Sequence, residues 1–378
     1  MSEFYKKAVA FAKEHIAPES KKSDDTASFP VESFKAMGKA GYFKLIIPKE
    51  LGGLGLGIVE HQEAVLAFAR ENPSAGLCYM MHNVALNCVL HGAAPEETKK
   101  AICKDIVENE VFMALAYSEF GTGTHFYIPE VKVSKKGDKT VLNGLKSMVT
   151  SAEHASYYLV LASSAEKKDA INNWIIPLKT KGLSFDMDAW KGMGMRGNVS
   201  CPMKMDNVEL DSSLMIGKDG SGMSQVFELV APMFIVGLAS VYSGLTLAQS
   251  EMATEYAQKR VYPHTGQPTS HIETVQIHLA HMYTMAQNSI MLTAEAARSF
   301  AAGEADALAK ILAARINASE NAIEASRLAM RVGGGKTYNK STQIERFLRD
   351  SFGGQIMAPS VDVLIVWLGK ALTGQPLV

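Results

Sequence analysis

Ala116-Tyr117-Ser118-Glu119-Phe120-Gly121-Thr122-Gly123-Thr124-His125 marks the point where the chain changes its pattern. Before it, from Glu3 to about Glu110, apolar residues recur at helical spacing, as in Phe4, Ala8, Phe11 and Ala12 and again in Phe34, Met37, Ala40 and Phe43. After it come short β-rich runs, Val131-Lys132-Val133, Thr140-Val141-Leu142, Tyr157 to Leu161 and Trp174-Ile175-Ile176, separated by turns such as Lys136-Gly137-Asp138. No helical crossover lies between these runs, so they predict a small β-sandwich or barrel. Beyond Gly217-Lys218-Asp219-Gly220 the helical period returns over Met223 to Val261, Ile272 to Ala302 and Asp306 to Arg331, which predicts an antiparallel bundle. The expected architecture is α+β, mostly α, in three domains: residues 1–111 helical, 112–213 β and 214–378 a helical bundle.

Composition narrows the function. The 378 residues are 47% hydrophobic, enough for a large core. Lys plus Arg number 38 against 39 Asp plus Glu, so no net field draws the chain to nucleic acid or to an anionic membrane. Cys78, Cys88, Cys103 and Cys201 form no CxxC pair and read as reduced thiols. The N-terminus carries charge and no long apolar run, and a cytoplasmic location is expected. His271, His278 and His281 lie near one helical face without a carboxylate at ligand spacing, which argues against a metal site.

The glycines and hydroxyls of the 116–125 loop suit close approach of backbone N–H groups to a phosphate or a flavin ring edge, although an ordinary Gly/Thr turn has the same composition. Further motifs follow in order: Asn143-Gly144-Leu145-Lys146-Ser147-Met148-Val149-Thr150-Ser151, then Lys191 to Ser200 with Met205-Asp206-Asn207-Val208, then Tyr256-Ala257-Gln258-Lys259-Arg260. Ile272 to Gln276, Arg331-Val332-Gly333-Gly334-Gly335 and Glu345 to Asp350 complete the series. Asn143-Gly144 also reads as a hairpin turn, and Arg196 as a residue that pairs locally.

Together these motifs resemble the acyl-CoA dehydrogenases, over nearly the whole chain. The resemblance implies an N-terminal helical domain, a middle β-domain and a C-terminal four-helix bundle, FAD as cofactor, an acyl-CoA substrate, a homo-oligomer built as a tetramer, and an electron-transfer flavoprotein as acceptor. It implies that Tyr117, Ser118, Gly123 and Thr124 line the flavin, with Thr150 near N5, Val149 beside it and Met148 in the place of an aromatic that covers the ring. Arg260 and Gly333, Gly334 and Gly335 would reach the flavin of a neighbouring subunit. Glu273 stands where the family has a flavin-contacting Gln, and Arg331 where it has another Gln.

The chain departs from the family at the chemistry. Met357-Ala358-Pro359-Ser360 puts Ala358 in the slot of the catalytic Glu. The alternative position of that Glu, on the first bundle helix, is Phe234, and Ile235 replaces an Arg that contacts CoA. Substitute bases are His125, Asp362 and His264, with His82 in the buried first unit as a fourth. Two other readings stay open: a flavin-dependent monooxygenase or N-hydroxylase, which needs no α-proton base, and a non-catalytic flavin-binding homologue.

Overall fold

The computed structural model describes residues 2–340 and 342–378. Six helices open the chain: α1 Glu3–His15, α2 Ala17–Asp25, α3 Val31–Lys39, α4 Ile58–Glu71, α5 Pro73–His91 and α6 Glu96–Asn109. Local chemistry sets their starts. The Ser2 hydroxyl accepts from Tyr5 N at 3.0 Å, and Asn72 caps α5 by accepting from Ala75 N at 3.3 Å, with Pro73 as the first residue of that helix. α5 is apolar all round because it is buried all round, packed between α4, the long later helix Ala231–Lys259 and the first strand.

The middle unit is a sandwich of two four-stranded sheets, in the orders β1-β4-β5-β8 and β2-β3-β7-β6. Its strands are β1 Met113–Ala116, β2 Lys132–Lys136, β3 Lys139–Val149, β4 Tyr157–Ser163, β5 Ile171–Pro177, β6 Leu183–Phe185, β7 Cys201–Leu210 and β8 Met215–Ile216. β1 and β4 run parallel, Met113 opposite Tyr157, because the chain crosses to the other sheet between them. Asn143-Gly144 is not a turn. It lies inside the long strand β3, at a register shift between Leu142 and Gly144. Gly144 has φ +157°, and a Cβ there would come 3.1 Å from Val131 Cα.

The last unit holds α7 Gly222–Gln225, α8 Ala231–Lys259, α9 Glu273–Ala301, α10 Ala307–Gly333, α11 Ile344–Ile356 and α12 Val361–Leu372. α7 and α8 are joined by a π-helical turn, Val226–Val230, so the predicted single helix carries one extra residue in a turn. Three long helices make the bundle, and α11 with α12, bent by 44° at Met357 to Ser360, fills the fourth place. The apolar stretch Gly222–Lys259 is long enough to cross a bilayer, but its most apolar window is 78% buried in protein.

Residues 191–200 lock the sandwich to the helices. Arg196 pairs far from its own loop, donating to Asp24 O at 2.6 Å and Asp25 O at 3.2 Å. Arg349 grips the Asp24 carboxylate with both ends of its fork, at 2.9 and 2.6 Å, and Met195 N donates to Asp350 Oδ1 at 2.5 Å. The approach is close: a Cβ on Gly194 would lie 2.3 Å from Arg349 O.

His82 is part of the framework rather than a base. Its Nδ1 accepts from Met113 N at 3.0 Å, so Nε2 carries the proton and donates to Phe43 O at 2.7 Å, tying α5 to β1. Burial pulls its pKa down to about 4, and that of buried His61 on α4 down to about 3. Both folded values lie below the unfolded one, so this stability is present above pH 6.5 and is lost as the pH falls. For His61 alone the loss between pH 7 and 5 is about 2 kcal/mol. Urea unfolding of His61→Leu at both pH values should show a pH difference smaller by that amount; an unchanged difference would contradict it.

Candidate active site

A cavity of about 60 Å³ lies where the three units meet. Tyr117, Ser118 and Met148 form its β-side wall, Phe234 and Ile235 of α8 face them, and Ala358 and Pro359 close it between α11 and α12. The π-helical turn ends at Val230, itself in the wall, and sets the rotation with which α8 enters the site. Phe126 closes another side, held by an edge contact to Tyr127 at 5.6 Å and a tilted contact to Trp367 at 6.4 Å.

The loop that carries Ser118 is anchored by an ion pair that the sequence reading did not single out. Lys146, on β3, is fully buried and bonds Glu119, also buried. Its ammonium further donates to Leu161 O at 2.6 Å and Tyr117 O at 3.3 Å, while Glu119 Oε2 accepts from Glu130 N at 2.6 Å. Burial drags the Lys146 pKa down to about 8, with the Glu119 carboxylate opposing. The signal was there to find, since a Lys among inward residues of a strand needs a partner.

Tyr117 is anchored separately. Its hydroxyl donates to Asn173 Oδ1, Asn173 Nδ2 donates to Gln225 Oε1 at 2.9 Å, and Gln225 Nε2 donates to Gly92 O and Ile216 O, both at 2.9 Å. Burial raises the Tyr117 pKa well above 10, so the phenol is neutral.

The loop beyond has unspent polar capacity. The hydroxyls of Thr122 and Thr124 are buried without a hydrogen-bond partner, and Gly123 between them has φ +54°. Met148 is 56% exposed although it lines the cavity, Val149 is buried beside Cys201, and Thr150 shares a hydrogen bond with Ser200 at 3.1 Å. Orphan hydroxyls on this loop and an uncovered apolar side chain on the cavity wall fit a planar, polar-edged cofactor.

Arg260, Glu273, Arg331 and the Gly333 to Gly335 turn form a separate group, and none of them lines the cavity. Tyr256 Oη donates to Gly333 O at 3.3 Å and the Arg260 guanidinium stacks 5.5 Å from the Tyr262 ring, so α8 and α10 end side by side. Arg260, Glu273 and Arg331 are all exposed.

None of the three proposed bases reaches the cavity. His125 is exposed with its ring 6.0 Å from Tyr127, and His264 is exposed and stacked at 5.6 Å on Tyr262. Asp362 falls on the exposed side of α12, because the break at Met357 to Ser360 ends the helical phase that would have set it beneath Ala358. Among the described residues that line the cavity there is no carboxylate, imidazole or ammonium.

Family models of the acyl-CoA dehydrogenase N-terminal, middle and C-terminal domains match residues 2–110, 114–208 and 237–372. The isovaleryl-CoA dehydrogenase of Solanum tuberosum is 30% identical, over 97% of this chain and 89% of its own. The chain belongs to the acyl-CoA dehydrogenase family. The 3-(aryl)acrylate reductase of Clostridium sporogenes is 29% identical to this family member, over 90% of the chain and 89% of its own. A solved chain from a study of the electron transferring flavoprotein of Acidaminococcus fermentans matches the fold with a TM-score of 0.92 at 23% identity, over 98% of each chain. As an acyl-CoA dehydrogenase family member the protein is a flavoprotein oxidoreductase of the class acting on CH–CH groups.

Proposed function

We propose that the chain is an FAD-dependent oxidoreductase that works on the α,β carbon pair of an acyl thioester. The observation that carries this reading is one cavity that joins Tyr117, Ser118 and Met148 to Phe234, Ile235 and Ala358 without a titratable base. Bound FAD supplies the two-electron hydride chemistry. Thr122, Thr124 and Gly123 would hold its polar edge, Met148, Val149 and Thr150 its ring, and Arg260, Arg331 and the Gly333 to Gly335 turn the phosphates of a neighbour's FAD.

The chain's own part is burial and orientation. Phe126, Phe234 and Ile235 keep water from the reacting carbons, and the Asn173-anchored Tyr117 fixes the opposite wall. Proton transfer at the α-carbon, in either direction, therefore falls to a group outside this lining, and a positioned one would speed both directions alike. The same lining supports a second reading, a flavin-dependent monooxygenase.

The test is anaerobic mixing of dithionite-reduced holoenzyme with enoyl-CoA esters. Flavin reoxidation with release of the saturated ester is expected, and a reduced electron-transfer flavoprotein in place of dithionite tests the partner. If every ester leaves the flavin reduced while oxygen yields a hydroxylated product, the second reading replaces the first. Light scattering on the same preparation should give a tetramer, consistent with exposed Ile277, Tyr283 and Met291 on α9. A monomer with FAD bound would contradict that assembly.

A further inference from the structure

Arg315, on α10, is the largest side chain that is fully buried, and none of its three guanidinium nitrogens has a hydrogen-bond partner in the described structure. A cation in such surroundings is costly unless something specific holds it. What holds it is an aromatic face: the guanidinium lies 5.1 Å from the centre of the Tyr242 ring. Burial lowers the Arg315 pKa to about 10, so the charge persists at neutral pH.

Tyr242 connects this cation to the cavity. It stands two turns after Ile235 on α8, on the same side of the helix as that wall residue. Its hydroxyl donates to Met357 Sδ at 3.6 Å, and Met357 N donates to Gly353 O at 3.0 Å, closing the end of α11. The contact between ring and α11 is tight: a Cβ on Gly354 would lie 3.1 Å from the ring carbons, and one on Gly353 would lie 3.0 Å from the hydroxyl. Ala358 and Pro359, the next two residues, are the closing wall of the cavity.

We propose that Arg315 is a positioning residue: through the Tyr242 ring and Met357 it fixes the Ala358-Pro359 wall against α8, which is why an unpaired cation is kept in the bundle core. A helix-packing role alone would be served as well by Met, whose shape is similar and which brings no charge to bury. The inference takes the cavity as the substrate end of the site. Its experiment reads the wall segment directly, so its failure is distinct from a failure of enoyl thioesters to reoxidise the flavin.

The experiment is amide hydrogen exchange on the FAD-loaded enzyme and its variants, with thermal midpoints measured alongside. In Arg315→Met the midpoint should stay level or rise, while exchange at Met357, Ala358, Ser360 and Val361 speeds up at least tenfold. Arg315→Lys, which keeps the charge, should recover part of the protection. Tyr242→Phe keeps the ring and loses only the Met357 contact, and should speed exchange in the same segment and nowhere else. Wild-type exchange in that segment of Arg315→Met, or acceleration spread evenly over α8 and α10, would overturn the proposal. Should Arg315→Met fail to fold, Tyr242→Phe decides alone, and unchanged exchange at Met357 and Ala358 overturns it.

Discussion

Ala358→Glu should accelerate anaerobic reduction of the flavin by saturated acyl-CoA esters by about 10²–10⁴, the range that a positioned general base contributes. Ala358 already borders the cavity, so a longer side chain there points its carboxylate among Phe234, Ile235 and Pro359. In those surroundings desolvation raises the carboxyl pKa toward the range where a base is most effective. The gained rate should therefore climb with pH through a value above the ordinary carboxylate range. Wild type, with no titrating cavity group, should show no such rise. Ala358→Gln has nearly the same shape and cannot ionise, and should gain nothing. An Ala358→Glu enzyme that folds, retains FAD and reduces no faster than wild type would mean that the α-carbon does not lie beside residue 358.

Glu119→Ala should cost about 3–5 kcal/mol of stability, because it strands the buried Lys146 ammonium with two carbonyls and no counter-charge. It also frees Glu130 N, which closes the loop bearing Thr122 and Thr124, so FAD should be lost in the same variant. Lys146→Met should be nearly as damaging, since it leaves the carboxylate buried instead. The double variant Glu119→Leu with Lys146→Met buries no charge and forfeits chiefly the Glu130 bond, so it should sit only about 1 kcal/mol below wild type. Urea midpoints at one fixed FAD concentration decide this, because ligand alone shifts them. Single variants within about 1 kcal/mol of wild type would show that the pair is not what holds the loop.

The expectations that held were those a short stretch of chain can enforce. Phe4, Ala8, Phe11 and Ala12 repeat with the helical period, and α1 forms from Glu3 to His15 with that face inward. The Lys136-Gly137-Asp138 turn joins β2 to β3 as expected. Asn143-Gly144 misled because the same dipeptide serves a tight turn and a bulge, and only the approach of Val131, just ahead of β2, distinguishes them. In the site, Tyr117 and Ser118, just after β1 of one sheet, and Met148, on β3 of the other, converge on one cavity, joined by the Ser147 N to Ser118 O bond. His125, Asp362 and His264 do not, because which way each points was settled by an exposed loop, a helix break and a second exposed loop.

By itself the sequence determined the order of helices, strands and helices, the motifs of the flavin side and the absence of a carboxylate at residue 358, since periodicity and covalent identity are properties of neighbours along the chain. Tertiary structure alone decided that no carboxylate, imidazole or ammonium stands among the described residues lining the cavity, that Lys146 meets Glu119, that Arg196 reaches Asp24, and that Arg315 lies against Tyr242. Those contacts join residues remote in sequence. Their energies come from desolvation and close packing, which exist only once the three units have closed on one another.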